Sequence, residues 1–319
     1  MSDLPLPRCI LITPARDEAP LIERTIQSVV SQTVRPIRWI VVNDGSTDET
    51  GAIARRYAAL HDWIDVMDMP QHGDRSFAAK ARCFAAGYAK VGALEHEVVG
   101  NLDADLSFDT DYLEFLLGKF ADDPDLGVAG TIFKERGGYS SDSDSFEGLN
   151  HVAGGCQLFR RTCFEAVGGY VPGEIGGLDW IAVTKARMLG WKTRSFREKW
   201  FFHHRSLGTA GRGRYAAGFI YGQKDYLFGG HPLYELFRVV YRMTKRPYVS
   251  VGLAIGAGYA WASLRRAVRP VSKELMRFHR REQLQKLRII MKSLLTFKGV
   301  DSFLVMAKQT EPRSQAPPT

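Results

Sequence analysis

Across residues 1–135, short apolar runs alternate with segments of helical period, and this alternation confines the chain to very few architectures. Residues 9–13, 39–42, 64–67 and 97–102 read as strands. Between them, one helix pattern runs through Leu21, Ile26 and Val29-Val30, a second runs from a cap at Thr47 or Asp48 to about residue 60, and a third covers 77–91. Residues 111–121 then read as helix and 127–133 as strand. Strand–helix–strand repeats of this kind build a mostly parallel sheet with helices on both faces, an α/β fold. Ligands bind such sheets beyond the carboxyl ends of the strands, so the residues there are the candidate site.

Each predicted strand end carries polar chemistry. The first leads into Pro14-Ala15-Arg16-Asp17-Glu18 and the second into Asn43-Asp44-Gly45-Ser46-Thr47-Asp48. The third leads toward a stretch holding Lys80 and Arg82, and the fourth into Asp103-Ala104-Asp105. Any one of these is ordinary loop chemistry, since Asp-Gly-Ser turns a chain, Asp44 can sit in a helix-capping turn, and Lys80 and Arg82 suit a solvated helix face. Four in succession exceed what turns alone require. Asp103 and Asp105 fall on the same side of an extended segment, because side chains alternate along a strand. Two hard oxygen donors placed so can hold Mg²⁺ or Mn²⁺ while leaving positions for phosphate oxygens. Phe201-Phe202-His203-His204-Arg205 follows another predicted strand and offers a third ligand. His204 is favoured over His203, with aromatic packing as the alternative for both. Arg212 and Arg214, in a Gly-rich loop, either fold over a diphosphate or belong to a basic surface loop.

The segments T-P-A-R-D-E, V-N-D-G-S-T-D and D-A-D after an apolar strand, in that order, resemble a family-2 glycosyltransferase. Downstream, G-G-C-Q-L-F-R-R-T-C-F-E-A-V-G-G-Y and G-L-D-W followed by G-W-K-T extend the resemblance to residues 8–205. It implies the GT-A fold, a Rossmann-like and mostly parallel sheet with helices on both faces. It also implies a nucleotide-diphosphate sugar as donor and a divalent metal, Mn²⁺ or Mg²⁺, as cofactor. Carried over by position, Asp17 and Asp44 meet the base and ribose, Pro14 and Ala15 line that pocket, and Glu18 belongs to the same motif. Lys80 and Arg82 meet base or diphosphate, Asp103 meets the ribose, and Asp103, Asp105 and His204 hold the metal. Asp179 is the catalytic base that deprotonates an acceptor hydroxyl for inverting displacement, or else it caps the helix after Gly177. Leu178 stands where many members have a second acid, and Glu174 is the weaker substitute. There is no Gln-x-x-Arg-Trp segment, which favours transfer of one sugar per encounter over processive synthesis.

Charge divides the chain. Residues 201–319 carry 21 Lys+Arg against 6 Asp+Glu, whereas residues 1–200 carry 22 against 29. The expected organisation is a glycosyltransferase domain over 1–230 (nucleotide-sugar half 1–135, acceptor half 136–230), a basic helical region over 231–308 that associates with membranes, and a disordered tail over 309–319. Residues 247–264 form a run of 18 without a charge, at the lower limit for a span and read as interfacial or re-entrant. Residues 272–298 read as a basic amphipathic helix. Anionic lipid explains this region better than nucleic acid, for which no recognisable binding module is present. The expected acceptor is a lipid-linked or other glycan in cell-surface polysaccharide assembly, on the cytoplasmic face of the inner membrane. The N-terminus shows no secretory pattern, and Cys9, Cys83, Cys156 and Cys163 have no metal spacing, so buried free thiols are expected. Two other readings stand beside this one: an inactive membrane-bound scaffold, and a sugar nucleotidyltransferase, whose Gly-rich basic signature after the first strand is missing.

Overall fold

A computed structural model describes residues 5–72, 77–142, 148–172, 176–205 and 213–295. Glu174, Arg212 and the tail over 309–319 lie outside the described residues. The chain forms two compact units that divide after Arg205.

The first unit follows the alternation in the sequence: β1 (Cys9–Ala15), α1 (Ile22–Val30), β2 (Arg38–Asn43), α2 (Thr50–Ala58), β3 (Ile64–Asp68), α3 (Phe77–Val91) and β4 (Val98–Leu102). It continues through β5 (Leu106–Phe108), α4 (Tyr112–Asp122), β6 (Leu126–Glu135), β7 (Cys156–Arg160), α5 (Arg161–Val167), α6 (Leu178–Met188) and β8 (Lys192–His203). One sheet of eight strands runs in the order β3-β2-β1-β4-β7-β6-β8-β5. The first four are mutually parallel and β6 runs parallel to β8, while β7 is antiparallel to β4 and β6, and β5 to β8.

The central strands carry apolar residues on both faces because both faces are covered. Leu11, Trp39 and Val41 point into a core with Ile22 and Ile26 of α1, Ile53 of α2 and Leu116 and Phe120 of α4. Ile10, Ile12, Ile40 and Val42 point the other way, against Cys83 and Phe84 of α3, Phe164 of α5 and Val183 of α6. All four cysteines are free and buried, as expected.

Two local expectations are corrected. β4 ends at Leu102, so Asp103-Ala104-Asp105 forms a turn into β5 and its two carboxylates share a side through that turn, not through strand alternation. Arg214, expected in a Gly-rich loop, instead opens a helix.

That helix, α7 (Arg214–Leu227), opens the described part of the second unit, with α8 (Pro232–Met243), α9 (Ser250–Leu264) and α10 (Lys273–Leu295). Glycine lets α7 and α9 touch backbone to backbone. A Cβ on Gly222 would lie 1.9 Å from the Ile255 carbonyl oxygen, and one on Gly258 1.9 Å from that of Phe219. α8 seats Val239 and Met243 against Gly252 of α9. α10 is tied in by Arg280 Nε donating to Gly229 O at 2.8 Å and by Gln283 accepting from His231 N at 2.6 Å. Among the described residues, no helix is long and apolar enough to cross a membrane.

Candidate active site

Strand order reverses at β1, with β2 on one side and β4 on the other, and such a reversal opens a crevice at the carboxyl ends. Pro14 and Ala15 end β1 opposite Val42 and Asn43, and Asp44 N donates to Ala15 O at 2.8 Å just beyond the two strands. Asp17 adopts a left-handed φ of 51°, a conformation Asp tolerates, and its Oδ1 accepts from Thr47 N at 2.9 Å. That contact ties the β1 loop to the β2 loop. Asp44 is buried, and His72 Nε2 lies 2.8 Å from its Oδ1. Arg16 in turn holds His72, through Nδ1 at 3.0 Å and through the backbone oxygen at 2.5 Å.

Glu18 is buried beneath Arg205, whose Nη2 donates to Oε2 at 2.6 Å, so this carboxylate braces the loop. Its backbone N donates to Thr50 Oγ1 at 2.8 Å and its carbonyl accepts from Leu21 and Ile22, which fixes the start of α1.

At the end of β4, Asp103, Asp105 and His203 bring one ligand atom each to within 4.8 Å of one another. The imidazole beside the carboxylates is therefore that of His203, whereas His204 was favoured by the sequence. The reason is strand phase. Leu106 of β5 pairs with His203, and His203 shares the inward face of β8 with the fully buried Phe201. His204 turns away to Ser107, with Nε2 2.9 Å from Oγ. Behind His203, Glu135 Oε1 lies 3.8 Å from Nδ1, an ion-pair separation too long for a hydrogen bond.

Burial raises the Asp105 pKa, and the like charge of Asp103 adds to it, against His203, Arg205 and Lys80. A divalent cation relieves that repulsion, and two carboxylates with one imidazole suit Mn²⁺, so the donor set fits such an ion. Lys80 of α3 sets Nζ 2.5 Å from Asp103 Oδ1. Burial disfavours its charge, but Asp103, Asp179 and Asp105 outweigh that and lift its pKa. Arg82, two positions on, is exposed.

Asp179 lies in the first turn of α6, after Gly177 at a φ of 77°. Its carboxylate does not cap its own helix; Oδ2 accepts from Gly154 N at 3.1 Å, with His151 Nε2 at 4.0 Å. Gly154 has room for nothing larger, since a Cβ there would lie 2.9 Å from Asp179 Oδ2. Asp103 N donates to the neighbouring Gly155 O at 2.8 Å, so Asp179 and Asp103 flank the same Gly154-Gly155 segment. The sequence did not single out His72, Glu135, His151 or Arg205 as site residues. Arg205 closes the motif that named the His pair, and His72 sits just past β3, where the strand-end rule points.

Comparison with known proteins bears on this arrangement. The model of glycosyl transferase family 2 matches residues 10–147. The chain is 29% identical over 126 residues to a chondroitin synthase of Pasteurella multocida, covering 40% of this chain and 12% of that protein. It is 34% identical over 111 residues to 4,4'-diaponeurosporenoate glycosyltransferase of Staphylococcus aureus, covering 34% and 27%. The chain thus spans well under a third of the length of these relatives. Among solved structures, a mannosyltransferase of Pyrobaculum calidifontis in complex with GDP-Man and Mn²⁺ superposes with a TM-score of 0.55 at 18% identity, covering 97% of this chain and 86% of that one. Staphylococcus aureus TarS in complex with UDP-GlcNAc gives 0.51 at 16%, covering 67% and 64%. At such identities the likeness is one of fold, and the fold is GT-A.

Proposed function

We propose, from the match of residues 10–147 to the model of glycosyl transferase family 2, that the protein is an inverting, metal-dependent glycosyltransferase. It moves one sugar from a nucleotide-diphosphate donor to a hydroxyl of a lipid-linked glycan, in cell-surface polysaccharide assembly. The observation that carries the reading is the meeting of Lys80, Asp103, Asp105, His203 and Asp179 at the strand-order reversal. An inactive scaffold has no use for that set together. The donors bound by the two structural neighbours, GDP-Man and UDP-GlcNAc, support the donor class.

In this reading the base and ribose enter between Pro14, Ala15, Asp17 and Asp44, and the diphosphate faces Lys80. Asp103, Asp105 and His203 would hold a divalent cation, which would supply positive charge for a diphosphate leaving group. Asp179 Oδ2 is held by Gly154 N, leaving Oδ1 to take the proton of the acceptor hydroxyl. The acceptor's hydroxyl oxygen then bonds to the anomeric carbon as the bond to the diphosphate breaks, which inverts the centre. The acceptor is membrane-borne, as the basic second unit on an otherwise acidic chain suggests, and the protein works on the cytoplasmic face of the inner membrane.

Asp179→Asn tests the assignment. A positioned general base contributes roughly a hundredfold to ten-thousandfold. Transfer of labelled sugar into a native lipid extract should fall by that factor, with the melting temperature and donor binding unchanged. Undiminished transfer would remove Asp179 from the mechanism.

A further inference from the structure

The geometry points to the α8–α9 hairpin as the surface that enters the bilayer, with an anionic lipid headgroup layer as its partner. This deepens the membrane-borne acceptor proposed above: it keeps the uncharged run 247–264 that the sequence reads as interfacial, adds α8 to it, and moves the contact away from α10, the basic amphipathic helix. α10 spends its inward face inside its own unit, where Leu275 is buried, Met276 packs on Gly229, and Gln283 accepts from His231 N.

The apolar surface left over lies on two other helices. Leu233, Leu236 and Val240 follow one another at i, i+3 and i+7 on α8, each more than half exposed. Leu253, Trp261 and Leu264 make a second stripe on α9, with exposures of 56%, 45% and 82%. Met243 and Val239 meet Gly252, and Val239 also meets Gly256, so the two helices run antiparallel. On each helix the exposed stripe lies just past the seam in the direction of increasing helical angle. In an antiparallel pair, that brings both stripes out on the same side. Exposed apolar residues of the first unit, such as Leu60, Leu94 and Val171, are scattered over separate elements by contrast.

Three observations choose lipid as the occupant. First, charge frames the stripes at both ends of the hairpin. Lys245 and Arg246 are exposed in the connection, and Arg265 and Arg266 are exposed after α9. Each basic residue near an anionic surface strengthens binding roughly fivefold. Second, the aromatics sit where chain meets headgroup, with the Arg265 guanidinium 4.1 Å over the Trp261 ring and Lys245 Nζ 5.0 Å over Tyr241. Third, the 15 residues of α9 extend about 22 Å, short of the ~30 Å hydrocarbon layer, so the hairpin lies in the interface and does not cross it. The glycine contacts of α7 with α9 suit that setting, because close backbone approach holds helices together where no hydrophobic effect does.

The test is flotation of the full chain with phosphatidylcholine vesicles, with and without phosphatidylglycerol, in the absence of donor and acceptor. The wild type should float with the anionic vesicles and lose binding steeply as salt rises. Leu253→Glu with Leu264→Glu, and separately Lys245→Glu with Arg265→Glu, should each lower the bound fraction by more than about tenfold. Leu60→Glu, an exposed control, should leave it unchanged, and circular dichroism should show all variants folded. Equal binding by the hairpin variants and the wild type would overturn the proposal. So would a concentration-dependent dimer, seen by sedimentation, that the same substitutions abolish, since the face would then belong to a second copy. No sugar transfer is measured, so a failure here is separate from a failure of the transferase reading.

Discussion

Glu235 should make the second unit less stable as pH rises from about 4.5 to about 7, and Glu235→Gln should remove that effect. Its side chain is buried on α8, with Oε1 lacking a hydrogen-bond partner and Oε2 3.7 Å from Arg238 Nε. Arg238 is already committed to Asp225 of α7 through both terminal nitrogens. Burial, with the like charge of Asp225 behind it, pushes the Glu235 carboxyl up to about 7 from its ordinary 4.5, against the pull of Arg238. Between those values the unfolded chain has released the proton and the folded chain still holds it, so stability falls as pH rises. The interval at 1.36 kcal/mol per pH step is worth about 3 kcal/mol, absent below about pH 4.5 and complete above about pH 7. Urea denaturation of wild type and Glu235→Gln, at about pH 5 and about pH 8, reads it directly, with hydrogen exchange of α8 peptides localising the change. The amide variant should be the more stable at the higher pH by up to about 3 kcal/mol, and should lose most of that advantage at the lower. A variant less stable than wild type at both pH values would show that the ionised carboxylate stabilises through Arg238, and the reasoning would fail.

Other substitutions probe packing and the metal ligands. Gly222→Ala drives a methyl into the Ile255 carbonyl and should cost about 1–3 kcal/mol in thermal unfolding, whereas Gly118→Ala, with nothing within 4 Å in the interior of α4, should stabilise by roughly 0.5–1 kcal/mol. His203→Ala should weaken Mn²⁺ binding, followed by electron paramagnetic resonance, at least about tenfold, while His204→Ala should leave it near wild type. Equal losses from both would put the imidazole assignment back in question.

Much of the first unit was legible because its strands are buried on two faces. An uninterrupted run such as Ile10-Leu11-Ile12 reads as a strand only if helices cover both sides, and helices 22–30 and 77–91 have the period to do so. The strand-end rule then found Asp44, Asp103 and Asp105 with no knowledge of neighbours. What it missed depends on phase and on long-range pairing. Phe201-Phe202-His203-His204 presents the same aromatic-then-imidazole pattern in either strand phase, so nothing local says which His faces inward. Pairing with Leu106, nearly a hundred residues earlier in the chain, settles it. The brace between Glu18 and Arg205 was not legible because the two lie 187 residues apart. α7 was hidden because the glycines that weaken its helical signal are the ones its contact with α9 requires.

The central claim, a metal-assisted nucleotide-sugar site built on Asp103 and Asp105, is tested most directly by thermal shift. The purified chain is heated with UDP-, GDP-, dTDP- and CMP-sugars, each with and without Mn²⁺, beside Asp105→Asn. A ligand at about a hundred times its dissociation constant stabilises by about 2.7 kcal/mol, well within reach of the method. One nucleotide class should raise the melting temperature of the wild type only when Mn²⁺ is present, and the rise should vanish in Asp105→Asn. A metal-independent shift that survives in Asp105→Asn, or no shift with any of the four classes, would contradict it.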